Sequence, residues 1–444
     1  MFAALGACLA QGVPITGAAV RGLESFDSAV IDLMTKYKLP GGALALARDG
    51  RLVYARGYGY ADVEAEQPVL PDALFRIASS SKPITATAIL KLIEDGKLTL
   101  DTPAFALLND LSPLPGAAVD SRLSNITIRH LLEHRGGWEG SLFDSVWMPF
   151  QVQKAGSFPY PVTCEDTIRY MKGRPLDFDP GSKSVYSNFG YCVLGRVIER
   201  VSGISYADFV KRSVLEPTGV RRIELGNTLA SQRYASEVSY YSYPGEPMAF
   251  SIFGPDGGFV SWPYGGFFVE GFDSFAGLVA NTPELLRFVT SSNGTRLPGP
   301  LKAPPSGFVG YVPPTGPGFL WYFQGSVPGS RSMMAVLPDR GAFAILFNSR
   351  PPLAQNVPNN DYQLTDEILS KIVGVYRSIS AWPSEDLWPE YSPDVIIKRF
   401  LHGASFTAST VAPESWVTLT GTNLAVAPLP ASTVPFRPNW ATHE

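Results

Sequence analysis

Apolar and polar positions form the same pattern near both ends of the chain. Residues 42–47 and 51–60 are two apolar-rich runs joined by Arg48-Asp49-Gly50. An Asp-Gly pair between such runs predicts a β-hairpin, because these residues tolerate the positive φ of a tight turn. A matching pair, residues 331–337 and 341–348, is joined by Pro338-Asp339-Arg340. Helical spacing, with apolar residues three and four apart, precedes the first pair over about residues 23–37 and follows the second over about 362–379. Between them, residues 127–134, 191–201 and 283–289 read as helices separated by loops rich in Pro, Gly and aromatics. Thr282 is the expected cap of the last helix, with Pro283 at its first position.

Two distant hairpins with flanking helices are most simply joined as one antiparallel sheet built from both chain ends. The expected class is therefore α+β. Residues 23–75 plus 311–385 would form the sheet domain, and residues 76–310 an inserted, mainly helical domain. Sites on such a fold lie in the cleft between the two parts. From residue 386 to 444 the chain becomes Thr-rich and β-like, and residues 406–425 resemble the opening of an Ig-like module. Fewer than about 60 residues cannot close a seven-stranded sandwich, so this is read as a tail or a partial module.

The composition narrows the function classes. A 45% hydrophobic chain with 17% charged residues folds into a packed core, and 444 residues suffice for two domains. A net charge of −4 without dense Lys/Arg runs excludes nucleic acid as a partner. No run of about 18 apolar residues predicts a membrane span. Residues 1–22 read as a leader or an extension. Leu5-Gly6-Ala7-Cys8 resembles a lipobox, but no basic segment precedes it. A shortened export signal, hence a periplasmic or secreted protein, is one reading; a disordered extension on a cytoplasmic protein is the other. Cys8, Cys164 and Cys192 are too few for a disulfide framework, and pairing of the last two is left open.

The candidate chemistry lies in three segments. Ser79-Ser80-Ser81-Lys82 is the one place where a serine stands three residues before a lysine. An apolar stripe of Ile84, Ala88, Ile89, Leu92 and Ile93 predicts a helix from Ser80, which puts Ser79 and Lys82 on one face. A deprotonated amine can serve as base for a hydroxyl nucleophile, and backbone N–H groups at a helix start can stabilise an oxyanion. Tyr186-Ser187-Asn188 is the one Tyr-x-Asn, set before an amphipathic run closed by Gly203. A phenol can relay a proton, and an amide can orient a carbonyl. Third, Phe323-Gln324-Gly325-Ser326 reads as an edge strand leading into the late hairpin, where glycine admits close backbone approach. His130 and His134 have zinc-ligand spacing, yet no acidic partner completes a site, so no metal or cofactor is expected. No Gly-x-Ser-x-Gly elbow occurs.

In this order, the three segments resemble the serine β-lactamase and penicillin-recognising superfamily, in particular its class C branch. The family VIII carboxylesterases and D-aminopeptidase-like hydrolases belong to the same resemblance. Arg76-Ile77-Ala78-Ser79, Thr127-Ile128-Arg129-His130-Leu131-Leu132-Glu133-His134, Pro180-Gly181 and Pro328-Gly329 add to it over about residues 23–380. The resemblance implies Ser79 as acylated nucleophile, Lys82 as its proton partner and Tyr186 as base or relay, with Lys82 favouring the phenolate. It implies that Asn188 contacts the acyl side, and that Phe323, Gln324, Gly325 and Ser326 border the substrate, Ser326 through its N–H. The superfamily carries Lys or His where this chain has Phe323, which implies poor turnover of β-lactam carboxylates and favours neutral, small-molecule esters or amides. A serine hydrolase, a transacylase or D-aminopeptidase with the same site, and a non-catalytic peptide binder are the readings carried forward.

Overall fold

The structure, a computed structural model, describes residues 12–139, 144–291, 321–337, 339–353, 356–391, 396–402 and 417–422. The leader-like residues 1–10 and most of the Thr-rich segment 406–425 lie outside the described residues. The chain falls into two compact units, residues 1–385 and 386–444. In the second, Ile396–His402 pairs antiparallel with Val417–Thr422.

In the first unit, helix α1 (Glu24–Tyr37) buries Phe26, Val30, Leu33, Met34 and Tyr37, one face of a helix. It ends at Lys38 in the left-handed conformation, whose N–H closes on Met34 O. Strands β1 (Gly41–Arg48) and β2 (Arg51–Asp62) form the first hairpin. Asp49 and Gly50 both take positive φ there, 50° and 79°, as the turn chemistry predicts. Helices α2 (Lys82–Glu94), α3 (Asn188–Ser202) and α4 (Thr282–Ser291) belong to the intervening segment. Strands β3 (Trp321–Val327), β4 (Ser330–Val336) and β5 (Gly341–Phe347) follow, then helix α5 (Asp361–Ser378).

The two hairpins join as expected. β5 pairs antiparallel with β1, Ile345 opposite Leu44, giving the order β2-β1-β5-β4-β3 with Ile15–Thr16 outside β2. Asn348 staples the seam: its Oδ1 accepts Gly41 N–H (2.8 Å), while Nδ2 donates to Tyr60 O and Ser239 O. β5 is buried at every position, because both of its faces are covered. Phe343, Ile345 and Phe347 meet α1 and α5 in one apolar core with Leu44, Leu46, Leu364, Ile368 and Ile372. Each such side chain stabilises the fold by roughly 1.5–3 kcal/mol relative to exposure. The other face carries α4. Its cap is Asn281, whose Oδ1 accepts Glu284 N–H at 2.8 Å, not Thr282. Thr282 is already inside the helix, so Pro283 occupies the second position. Cys164 and Cys192 form a disulfide that ties the helix Cys164–Met171 to α3. Among the described residues no helix is long and apolar enough to cross a membrane.

Candidate active site

Sheet contacts fix the serine segment before any helix begins. Phe75–Arg76 pairs with Leu278–Ala280, and Ile77 N–H donates to Leu278 O. From β4, Ser330 Oγ donates to Arg76 O (2.5 Å) and Ser332 Oγ to Ile77 O (2.6 Å). Residues Ala78–Ser81 then form a 3₁₀ turn, and the α-helix starts only at Lys82. The expected helix start at Ser80 thus falls two residues late. Ala78 has φ of 48°, a strained value for a residue with a Cβ, held by these surrounding bonds. Ser80 bonds Ser332 Oγ and Ser81 donates to Ala78 O, so both are buried. Ser79 alone of the three stays partly exposed. β3 passes close by: a Cβ on Gly325 would lie 2.2 Å from Ile77 O and 2.8 Å from Ser79 N. The glycine is required for that approach.

Three side chains from distant segments meet here. Ser79 Oγ shares a 2.7 Å hydrogen bond with Tyr186 Oη and lies 3.1 Å from Lys82 Nζ. Lys82 Nζ also donates to Asn188 Oδ1 (2.8 Å) and to Phe275 O (2.9 Å). The rings of Tyr186, Tyr191 and Phe275 lie around it, with centroids 4.8 to 5.6 Å away. Burial drives the Lys82 amine well below its ordinary pKa, against a smaller opposing pull from Asp144. Desolvation also raises the Tyr186 phenol above its ordinary value, and the bond to Ser79 offsets this only in part. Burial thus acts against the expected phenolate.

Two further residues support this arrangement, and the sequence patterns did not single out either role. His134 is buried, its ring tilted against that of Tyr186 with centroids 4.6 Å apart, and its Nδ1 accepts Ser187 N–H at 3.1 Å. Desolvation, with a smaller contribution from Lys82, lowers its pKa to about 3. His130 caps its own helix with Thr127 instead, so the two histidines do not face one ion. Among the described residues no group of three His, Cys, Asp or Glu side chains could hold a metal. Asp144 is the second residue; it accepts Asn188 N–H (2.5 Å) and Phe189 N–H (3.0 Å). Nothing local marks it, since it lies 42 residues before Tyr186 in a stretch of no clear periodicity.

The third segment divides by strand alternation. Phe323 is buried on the face of Gly325, near the serine turn. Gln324 points the other way, where its Oε1 accepts from Arg331 and from Thr365 Oγ1 on α5. Its side chain is thus engaged away from Ser79, a correction to its expected place beside the substrate. A cavity of about 270 Å³ opens beside Tyr186, lined among others by Trp138, Met148, Tyr170 and Phe189. Ser79 does not line it. In the aromatic loop 262–268 Phe267 is buried and packs on Trp147, Pro263 O accepts from Arg76, and Trp262, Tyr264 and Phe268 are half-buried.

Esterase EstB of Burkholderia gladioli is 33% identical over 230 residues, which are 50% of this chain and 55% of EstB. Penicillin-binding protein 4* of Bacillus subtilis is 31% identical over 212 residues, 47% of this chain and 42% of its own. The chain spans about half the length of these curated relatives. A solved structure titled EstCE1, a hydrolase with promiscuous acyltransferase activity, shares the fold at a TM-score of 0.59 and 22% identity. That likeness covers 80% of this chain and 99% of EstCE1. Matched to the beta-lactamase family from residue 26 to 366, across both hairpins and all three site segments, the chain belongs to that family.

Proposed function

We propose that the chain is a serine hydrolase that forms an acyl-enzyme on Ser79 from neutral ester or amide substrates. The observation that carries this reading is the bonding of Lys82. A neutral amine has two N–H groups and one lone pair. Asn188 Oδ1 and Phe275 O accept two N–H bonds and Ser79 Oγ takes the third position at 3.1 Å, so that on deprotonation the lone pair is left for the Ser79 hydroxyl. Burial favours the neutral amine, the state a base needs.

In the first step Ser79 Oγ bonds to the carbonyl carbon and its proton passes to Lys82 Nζ. The oxyanion would rest on the N–H groups of Ser79 and Ser326. Val327 and Ser330 close the turn between β3 and β4, so alternation aims Ser326 N–H off the strand edge. As the carbonyl re-forms, the bond to the leaving oxygen or nitrogen breaks. That atom takes the proton from Lys82 through the Tyr186 hydroxyl, which the raised phenol keeps protonated between transfers. Water then attacks the acyl carbon, gives its proton back along the same path, and releases Ser79. An alcohol or amine in place of water makes the same site a transacylase.

Phe323 decides between substrates. Buried and apolar, it offers no cation to a carboxylate, which supports carboxylesterase-like activity with poor β-lactam turnover. The same feature is what favours the second reading, a non-catalytic binder of peptides. Hydrolysis of p-nitrophenyl acetate and butyrate by wild type and Ser79→Ala separates the two. Release should vanish in the variant, and a phosphonate probe should add its mass to Ser79 alone. Equal rates in both proteins would remove Ser79 as the nucleophile.

A further inference from the structure

The first four backbone donors at the start of α3 are all accounted for, and one side chain takes two of them. Ser187 N–H goes to His134 Nδ1 (3.1 Å) and Gly190 N–H to Ser187 Oγ (3.1 Å). Asn188 N–H goes to Asp144 Oδ2 (2.5 Å), and Phe189 N–H to both carboxylate oxygens (3.2 and 3.0 Å). Asp144 also accepts the Ser187 hydroxyl (3.2 Å) and Val146 N–H (3.4 Å). A carboxylate is a good partner for a helix N-terminus. Yet Asp144 is only 6% exposed, and among the described residues neither it nor Lys82 forms an ion pair with any other group within 4 Å. Serine or asparagine would cap the same helix without burying a charge. Capping alone leaves the carboxylate unexplained.

Its position relative to Lys82 supplies the reason. Asn188 bridges them, its N–H on Asp144 and its Oδ1 under Lys82 Nζ. The other groups around Lys82 are uncharged near neutral pH: Ser79, Asn188, Tyr186 and Tyr191 with raised phenols, and His134 behind Tyr186 held neutral by burial. Glu139, Asp177 and Arg174 share the cavity with Asp144 but are exposed to solvent. Asp144 is thus the buried charge of opposite sign in this pocket.

We propose that Asp144 is the positioning residue of the site: it clamps Tyr186-Ser187-Asn188 against Lys82 and provides the counter-charge that sets where Lys82 loses its proton. This rests on the reading of Lys82 as the base for Ser79. The sign follows from the charge. Asp144 favours the ammonium form, so its neutralisation lowers the Lys82 pKa, and the rising limb of activity against pH moves to lower pH.

The test is kcat/KM for p-nitrophenyl butyrate against pH, on the full chain, for wild type, Asp144→Asn and Asp144→Glu. Ser79→Ala serves as the blank, and circular dichroism reports folding. In Asp144→Asn the rising limb should move down by about one pH unit or more, whatever happens to the maximal rate. Asp144→Glu, which keeps the charge, should keep the wild-type limb even where kcat falls. An Asn variant that is folded and slower but has an unmoved limb would reduce Asp144 to a cap and overturn the proposal. If the Asn variant does not fold, the Glu variant decides: a wild-type limb supports the counter-charge, and a displaced one overturns it. Undiminished hydrolysis by Ser79→Ala is a different failure, that of the nucleophile itself.

Discussion

Two buried regions of this molecule are built on opposite principles. The core between the sheet and helices α1 and α5 is dominated by apolar side chains, from Leu33 and Leu44 to Ile345 and Ile372. Apolar contacts there gain from leaving water, and the gain is spread over many partners. The pocket around Lys82 buries an amine, a carboxylate, a phenol and an imidazole, each losing solvation. Those groups stay only because specific hydrogen bonds hold them. The first region stabilises the fold. The second uses burial to push each group toward its uncharged form, lowering the Lys82 amine and the His134 imidazole and raising the Tyr186 phenol.

The sharpest way to break that contrast is to make the pocket apolar. Lys82→Met should lower kcat/KM by about 10²–10⁴-fold, while thermal stability stays level or rises because a buried amine is replaced by hydrocarbon. A marked loss of stability would show that Lys82 is as structural as the core. Ile345→Ala should do the reverse, costing about 2–5 kcal/mol in urea unfolding. Turnover per active site, counted with a phosphonate titrant, should be unchanged. If turnover falls as well, the two regions are coupled through the sheet.

Gly325→Ala probes the seam between them. Its Cβ would press on Ile77 O and Ser79 N, so activity should fall about 10²-fold with a smaller effect on folding; retained activity would mean that the serine turn relaxes freely. A fourth prediction concerns acid. The folded pKa of His134, about 3, lies below its ordinary value near 6.5, so the unfolded chain binds the extra proton between those values. Stability attributable to His134 is complete above about pH 6.5 and is lost as pH falls toward 3. Asp144, whose carboxyl is raised by desolvation, acts with the opposite sign, so the readout is the difference between two proteins. His134→Asn keeps an acceptor for Ser187 N–H and suits the positive φ of 55°. Its stability should depend less on pH across that window, and parallel curves would rule out the imidazole as the source. The smallest change is expected from Phe323→His or Phe323→Lys, which should raise residual cleavage of a chromogenic cephalosporin. No gain would mean that this position does not set carboxylate preference.

Local patterns carried much of this structure. Both hairpins, α1 and α5 lie within one or two residues of their places in the periodicity, because turn chemistry and a 3.6-residue stripe act on near neighbours. The glycine at 325 and the spacing of Ser79 and Lys82 were legible for the same reason. Small shifts mark where neighbours from afar took over. The chain turns 3₁₀ at Ala78–Ser81 because β4 serines hold Arg76 and Ile77, and Asn281 rather than Thr282 caps α4. Alternation along β3 was predictable, but which face met Ser79 was not, so Gln324 was placed on the wrong side.

The sequence by itself determined the elements, the order of the three site segments and the apolar side chain at Phe323, since residue identity and short-range dihedral preference suffice for these. Only the tertiary structure decided that β5 lies on β1, that Ser79, Lys82 and Tyr186 meet, and that Asp144 and His134 stand behind them. It also decided the burial of Lys82 and Tyr186, which moves both away from their charged forms. The reason is that desolvation and strand pairing depend on what other parts of the chain bring alongside, and no local pattern records that.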